Sequence, residues 1–167
     1  MNSIQLVRKI TALTGFTHST GVEVKSAEPG KVELELARKP ELLQFNGHFH
    51  RGVISGLADH AAGAAATTAL PAGKIAITVD LHVNFLAPVN GATIVAKAHT
   101  LQVGNTICVV SVSVSVETET AKGIQICAVA NPVLRVVNMP QFNTRKPGIG
   151  SKTAQRRLAI RPMFDEG

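Results

Sequence analysis

The longest run of small and apolar residues, residues 52–69, predicts the longest helix of the fold. Alanine and glycine occur all round its helical wheel, so we expect this helix to be buried on most sides. At 1.5 Å per residue it would be roughly 27 Å long. The residues that follow, LPAG at 70–73, end the helix, because proline and glycine lie just past its last turn.

Alternation of apolar and polar residues predicts strands on both sides of this helix. Val32, Leu34 and Leu36 alternate with charged residues, a pattern typical of a strand with one buried and one solvated face. The predicted strands cover residues 22–26, 31–38, 74–86, 92–102, 106–120 and 123–137. Short turns join the last four strands, so we expect an antiparallel sheet. Pro132 indicates a bulge or an edge position in the last strand.

The order of these elements predicts an α+β fold in which one curved antiparallel sheet wraps around one long central helix. Apolar residues at helical spacing also predict an amphipathic first helix at about residues 3–14. In the strand at 74–86, the apolar residues at odd positions are expected to share one face. Thr78, Asp80 and His82 share the other face and could form a polar cluster.

The net charge of +6 is concentrated at the C-terminal end, since residues 138–167 carry six basic and two acidic residues. We therefore expect a single domain at 1–137 and a basic extension at 138–167. A nucleic-acid-binding function would rest on this extension alone, because the body lacks aromatic platforms and basic patterning. Cys108 and Cys127 match no disulfide or zinc pattern, so buried reduced thiols of a cytoplasmic protein are expected.

One carboxylate, Asp59, lies in the middle of the apolar helix. Burying it costs several kcal/mol unless it is compensated, so it is either a paired structural group or a base that faces a pocket. The turn His50-Arg51-Gly52 lies at the head of the helix, where backbone N–H groups lack intrahelical partners and carry the positive end of the helix dipole. Such N–H groups could polarise a carbonyl while the carboxylate activates water, which favours the catalytic interpretation.

The segments GHFHRGVISGLADHAAGAAA (47–66) and AITVDLHVNFLAPVNG (76–91) resemble the hotdog-fold thioesterases, in the PaaI-like or 4-hydroxybenzoyl-CoA-thioesterase-like branch. The resemblance covers about residues 20–137 and implies the hotdog fold. It also implies hydrolysis of acyl-CoA thioesters to free acid and coenzyme A by a homodimer or a homotetramer built as a dimer of dimers. No metal or cofactor is implied, since coenzyme A is part of the substrate, and neither a nucleic-acid partner nor membrane insertion is expected.

The resemblance also implies roles for individual residues. Asp59 matches the catalytic acid, as general base or as nucleophile. Arg51 lies where the family usually has the first glycine of its pair, and its backbone N–H would be the oxyanion donor. Thr78 matches the hydroxyl residue that orients the water or the carboxylate. Gln44 matches a polar position near the thioester sulfur or the water, with Asn46 as the fallback.

Four positions are assigned to substrate binding: Asn46 before the turn, His50 and Gly52 of the turn, and His60 of the helix. His50 is expected to be structural, and His60 to pack or to contact a partner subunit rather than act as a second base. Arg51 departs from the family pattern, and a positive φ at this position would cost an arginine about 1 kcal/mol. This departure keeps a non-catalytic acyl-CoA-binding protein open as the alternative. Hydratases and dehydratases of the fold use a different histidine motif, which is absent here.

Overall fold

In the computed structural model, which describes residues 1–13, 15–117 and 123–139, the chain begins with two short helices. Helix α1 spans Ser3–Thr11 and helix α2 spans Phe16–Thr20. The predicted helix at about residues 3–14 is therefore too long at its C-terminal end. Gly15 lies directly before α2 at a φ of +134°, a conformation that favours glycine, so the chain changes direction here instead of continuing one helix.

The central helix, α3, spans Arg51–Ala69 and begins one residue earlier than the predicted range. A 3-10 turn at Pro40–Leu42 precedes it. Its buried residues lie on several faces, which confirms that the helix is covered on most sides; they are Ile54, Leu57, Ala58, Ala61, Ala62, Ala64, Ala65, Ala66 and Thr67. Among the described helices, none is both long enough and apolar enough to cross a membrane.

The strands form one antiparallel sheet. Their bounds are β1 Glu23–Glu28, β2 Lys31–Ala37, β3 Lys74–Asp80, β4 Val83–Phe85, β5 Thr93–Val103, β6 Ile107–Glu117, β7 Ile124–Ala130 and β8 Val133–Asn138. The order is β1-β2-β5-β6, after which β6 pairs with both β7 and β8. Strand β4 pairs with β7, and β3 pairs with β8. Among the described strands, β3 and β4 therefore form one edge of the sheet and β1 forms the other.

Two of the predicted strands are each broken into two. The predicted strand at 123–137 divides at residues 131–132, because Pro132 has no N–H for the sheet, although its carbonyl accepts a 3.1 Å hydrogen bond from the Val110 N–H. The predicted strand at 74–86 divides at residues 81–82, opposite that break. Its register also shifts between Thr78 and Asp80, so strict alternation over 74–86 is wrong. The C-terminal part of the predicted strand at 106–120 lies outside the described residues, as does the basic extension from residue 140 onward.

Helix α3 packs against β2, β3, β5 and β6, and the core lies between the helix and this side of the sheet. The alternation predicted in β6 is confirmed, since Val110, Val112, Val114 and Val116 are all buried. Cys108 and Cys127 are buried free thiols, as expected. Burial raises the pKa of the Cys127 thiol to about 11, so this thiol stays protonated and unreactive at neutral pH.

Candidate active site

His50 caps the start of α3. The Gly52 N–H donates a 3.0 Å hydrogen bond to His50 Nδ1, and the His50 carbonyl accepts hydrogen bonds from the Val53 and Ile54 N–H groups. A Cβ at Gly52 would come 3.0 Å from the same Nδ1 atom, so glycine lets the imidazole close over the helix end. The structural role expected for His50 is thus visible, and the Gly52 N–H is already engaged.

The Arg51 N–H at the same helix end has no hydrogen-bond partner in the part of the chain that the structure describes. No described non-glycine residue has a positive φ, so Arg51 carries none of the backbone strain that its replacement of glycine could have caused. Its guanidinium carbon lies 5.1 Å from the centroid of the Phe85 ring, so the side chain packs against β4. The backbone donor expected for an oxyanion is therefore present and free.

A tight loop before α3 surrounds a small cavity that Arg51 also lines. The Gln44 N–H donates to the His48 carbonyl at 2.9 Å, and the Gly47 N–H donates to the Gln44 carbonyl at 2.9 Å. The Arg38 guanidinium donates to the Gly47 carbonyl and to Asn90 Oδ1, which ties the loop to the chain after β4. This loop cavity, of about 240 Å³, is lined by Gln44, Asn46, His48, Arg51 and residues of the 85–89 segment.

His48 is a polar residue of the loop cavity that the sequence analysis did not single out. Its Nδ1 atom is buried and has no hydrogen-bond partner among the described residues. Its backbone N–H donates a 3.2 Å hydrogen bond to Asn46 Oδ1, so part of the Asn46 side chain serves the loop itself. The only sequence signal was a second histidine two residues before His50.

Asp59 lies two turns further along α3 and faces a second cavity. This helix cavity, of about 360 Å³, lies between α3, α1 and β3, and Thr78 of β3 also lines it. Asp59 Oδ1 is buried without a hydrogen-bond partner among the described residues, and no ion pair involves this carboxylate there. The structure thus supports a carboxylate that faces a cavity rather than a paired structural group.

His60, the next residue of α3, lines the same helix cavity as Asp59. Its Nε2 lies 2.8 Å from Thr11 Oγ1 of α1, and its contact is thus with a helix of its own chain. Burial lowers the pKa of His60 below its usual value, and the nearby Asp59 carboxylate opposes this only in part. The imidazole is therefore neutral at pH 7. The exposed Asp80 and His82 line neither cavity.

The predicted site residues are thus divided between two cavities. The helix cavity brings together Asp59, Thr78 and His60, whereas the loop cavity brings together Gln44, Asn46 and Arg51. Arg51 and Asp59 are eight residues apart on α3, which places their backbones about 12 Å apart along the helix axis. Each of the two residues also lines a different cavity. The single pocket expected from the sequence is not formed by the described residues of one chain.

Residues of both cavities fall in a segment that matches a known family. The family model for the thioesterase superfamily matches residues 46–121. A protein of Halobacterium salinarum described as a putative esterase is 34% identical over 113 residues, which cover 64% of this chain and 74% of that protein. The chain belongs to the thioesterase superfamily. A 1,4-dihydroxy-2-naphthoyl-CoA hydrolase of Listeria monocytogenes is 28% identical over 70% of this chain and 94% of its own.

Solved structures share the fold. A thioesterase family protein from Silicibacter pomeroyi matches with a TM-score of 0.77 and 25% identity, over 83% of this chain and all of that one. The Escherichia coli PaaI protein from the phenylacetic acid degradation operon matches with a TM-score of 0.70 and 17% identity, over 81% of this chain and 94% of its own. The predicted hotdog fold is confirmed, and the chain is a hydrolase of the thioesterase type.

The family match begins after Gln44 and excludes the N-terminal helices. It includes Asp59, Thr78 and the start of α3. The helix cavity is therefore lined both by residues inside the family match and by residues of α1 that lie before it. No group of three histidine, cysteine, aspartate or glutamate side chains placed to hold a metal ion occurs in residues 1–13, 15–117 and 123–139.

Proposed function

We propose that this protein hydrolyses acyl-CoA thioesters to the free acid and coenzyme A. The observation that carries the proposal is Asp59, whose Oδ1 atom is buried beside a cavity without a partner among the described residues. A buried carboxylate oxygen normally finds a hydrogen-bond donor, and one left free at a cavity is available to a substrate or a water molecule.

The separation of the two cavities supports a site shared by two copies of the chain. The helix cavity of one copy would face the loop cavity of the other, so that Asp59 and the partner copy's Arg51 N–H approach one thioester. Strand β3 is suited to this contact, because it is an edge strand among the described strands and its Ile77 and Val79 are 51% and 58% exposed. A two-fold interface repeats the contact and gives two equal sites per dimer. A homotetramer would be a pair of such dimers.

In the proposed reaction, Asp59 takes a proton from a water molecule, and the resulting hydroxide adds to the thioester carbonyl carbon. The Arg51 N–H stabilises the negative oxygen that forms. The carbon–sulfur bond then breaks, and the departing thiolate takes the proton from Asp59 and leaves as coenzyme A, which restores the carboxylate. Thr78 orients the water or the carboxylate from β3, and Gln44, with Asn46 beside it, holds the sulfur side of the thioester.

Asp59 could instead attack the carbonyl carbon directly and form a mixed anhydride that water then hydrolyses. Both routes consume one water and release the same products. The proposal requires no metal or organic cofactor and no nucleic acid, and it places the protein in the cytoplasm, where buried reduced thiols such as Cys108 are stable. The Arg51 side chain is exposed at the loop cavity and can reach a phosphate of coenzyme A.

The test is thiol release from a panel of acyl-CoA thioesters by the full chain. Asp59→Asn should lower kcat about 100-fold or more, because the amide cannot accept the proton. Glu28→Gln makes the same chemical change at an exposed carboxylate on β1 and should leave kcat unchanged. Equal kcat in Asp59→Asn and wild type would refute the role of Asp59. Tight binding of acyl-CoA without any turnover would support the non-catalytic alternative.

A further inference from the structure

Part of α3 is covered by the N-terminal segment. Gly56 and His60, four residues apart on the helix, share the face that this segment contacts. At Gly56 a Cβ would come 2.7 Å from two ring carbons of Phe16, so the glycine lets this ring pack directly on the helix. At His60 the contact is the 2.8 Å hydrogen bond to Thr11. The N-terminal segment is thus held against α3 at two points.

The helix cavity is the space that remains between α1 and β3 beside these contacts. Val7 and Ile10 of α1 line it on one side, and Ile75 and Ile77 of β3 line it on the other. Val7 is 1% exposed and belongs to the core, whereas Ile10 is half-buried and borders the cavity. Asp59 lies in the wall between them. An acyl group bound next to the Asp59 carboxylate would therefore touch α1.

We propose that α1, through Ile10 and Val7, is the wall that determines which acyl groups reach Asp59. This inference rests on the proposed thioesterase function and deepens it. The family match does not assign this role, because it begins at residue 46, beyond α1. Ile10 is the residue that sets the depth of the cavity, since it borders the space without being fixed in the core as Val7 is.

The size and lining of the cavity define the class of acyl group. A volume of about 360 Å³ holds about a dozen groups of water size, at roughly 30 Å³ each. Apart from Asp59, His60 and two threonines, the lining is apolar. An acyl chain that carries a carboxylate would be repelled by the negative charge of Asp59. The preferred substrates are uncharged acyl groups of about ten to twelve non-hydrogen atoms, unbranched or with one aromatic ring.

The test compares two changes at Ile10 with a matched change on the same helix. Ile10→Ala enlarges the cavity and Ile10→Phe fills it. Ile4→Ala removes the same atoms from another half-buried isoleucine of α1 that does not line the cavity. For each full-length variant, kcat/KM is measured by thiol release over straight-chain acyl-CoA thioesters from four to sixteen carbons.

Ile10→Ala should raise the ratio of kcat/KM for long over short chains about tenfold, and Ile10→Phe should lower it about tenfold, because one methylene in an apolar pocket is worth about tenfold or more. Ile4→Ala should keep the wild-type ratio. A profile of Ile10→Ala that is parallel to the wild-type profile would overturn the inference, since a merely structural defect lowers all chain lengths alike.

Binding of S-alkyl-CoA thioethers, which cannot be hydrolysed, separates this inference from the proposed function. Suppose that wild type releases no thiol from any thioester but binds thioethers with a length preference that Ile10→Ala shifts to longer chains. The proposed thioesterase function is then refuted, and the proposed role of α1 in acyl selection is supported. If turnover occurs and neither readout responds to Ile10, the function stands and the wall is refuted.

Discussion

Replacing Arg51 with proline should remove the oxyanion donor while preserving the fold. Arg51 is the first residue of α3, the position at which proline is favoured because its missing N–H is not needed for the helix. The residue before a proline must be extended, and His50 already has φ −64° and ψ 136°. The hydrogen bonds of the cap use the His50 carbonyl and the Gly52 N–H, so Arg51→Pro breaks none of them.

The expected loss is a factor of about 10² to 10³ in kcat, or about 2.7–4 kcal/mol of transition-state stabilisation, which is the usual contribution of one oxyanion donor. The free energy of unfolding should change by less than about 1 kcal/mol, since a proline in a compatible conformation costs the folded state little. Arg51→Ala is the matched control, because it keeps the N–H and removes only the side chain, whose contact with the Phe85 ring is worth about 0.5–1 kcal/mol.

The assay is thiol release under saturating acyl-CoA, with urea unfolding of each variant to confirm the fold. Arg51→Ala should retain kcat within a factor of about three while raising KM if its guanidinium contacts a phosphate of coenzyme A. Equal kcat values for Arg51→Pro and Arg51→Ala, with both variants folded, would show that this N–H does not stabilise the oxyanion.

The remaining predictions concern α1, His60 and the edge strand. Thr11→Val should cost about 1–2 kcal/mol and raise amide exchange in α1 without raising it in β5, because His60 Nε2 loses its buried partner; unchanged exchange in α1 would contradict this. Folding lowers the pKa of His60, so the neutral imidazole contributes fully to the free energy of unfolding above the unfolded pKa of 6.5. This contribution is lost as the pH falls from 6.5 through the folded pKa, by at most about 1.4 kcal/mol per pH unit. The free energy of unfolding of His60→Asn, measured with urea, should lack this pH dependence. Val79→Lys should shift the proposed dimer toward monomer in sedimentation and lower activity at low protein concentration, whereas an unchanged mass would exclude β3 from the proposed interface.

Elements that repeat one pattern over several turns or pleats could be predicted from the sequence. The all-round small residues of α3 and the alternating valines of β6 each encode their burial locally, and both predictions are confirmed. The break at residues 81–82 could not be read in the same way. It depends on the register of β3 against β8, opposite Pro132, and this is a contact between distant parts of the chain.

In the candidate site, too, local features could be predicted from the sequence and contacts between distant residues could not. The carboxylate in the apolar helix and the free N–H at its start follow from local sequence, whereas the contact between Thr11 and His60 joins residues 49 positions apart and leaves no local signal. The division into two cavities could have been predicted, because eight residues of helix always separate Arg51 from Asp59 by about 12 Å. Helical rise, and not the motif alone, separates the two groups, and this separation supports the proposed site shared by two copies.

The central claim is that Asp59 of one copy and the Arg51 N–H of another act on the same thioester. It is tested most directly by mixing Asp59→Asn protein with Arg51→Pro protein, denaturing both together and refolding them. Each variant alone should be nearly inactive. A mixed dimer contains one intact site, so an equal mixture should recover about a quarter of wild-type activity when subunits pair at random. Activity no greater than that of the separate variants, with mixed dimers shown to form, would contradict the account.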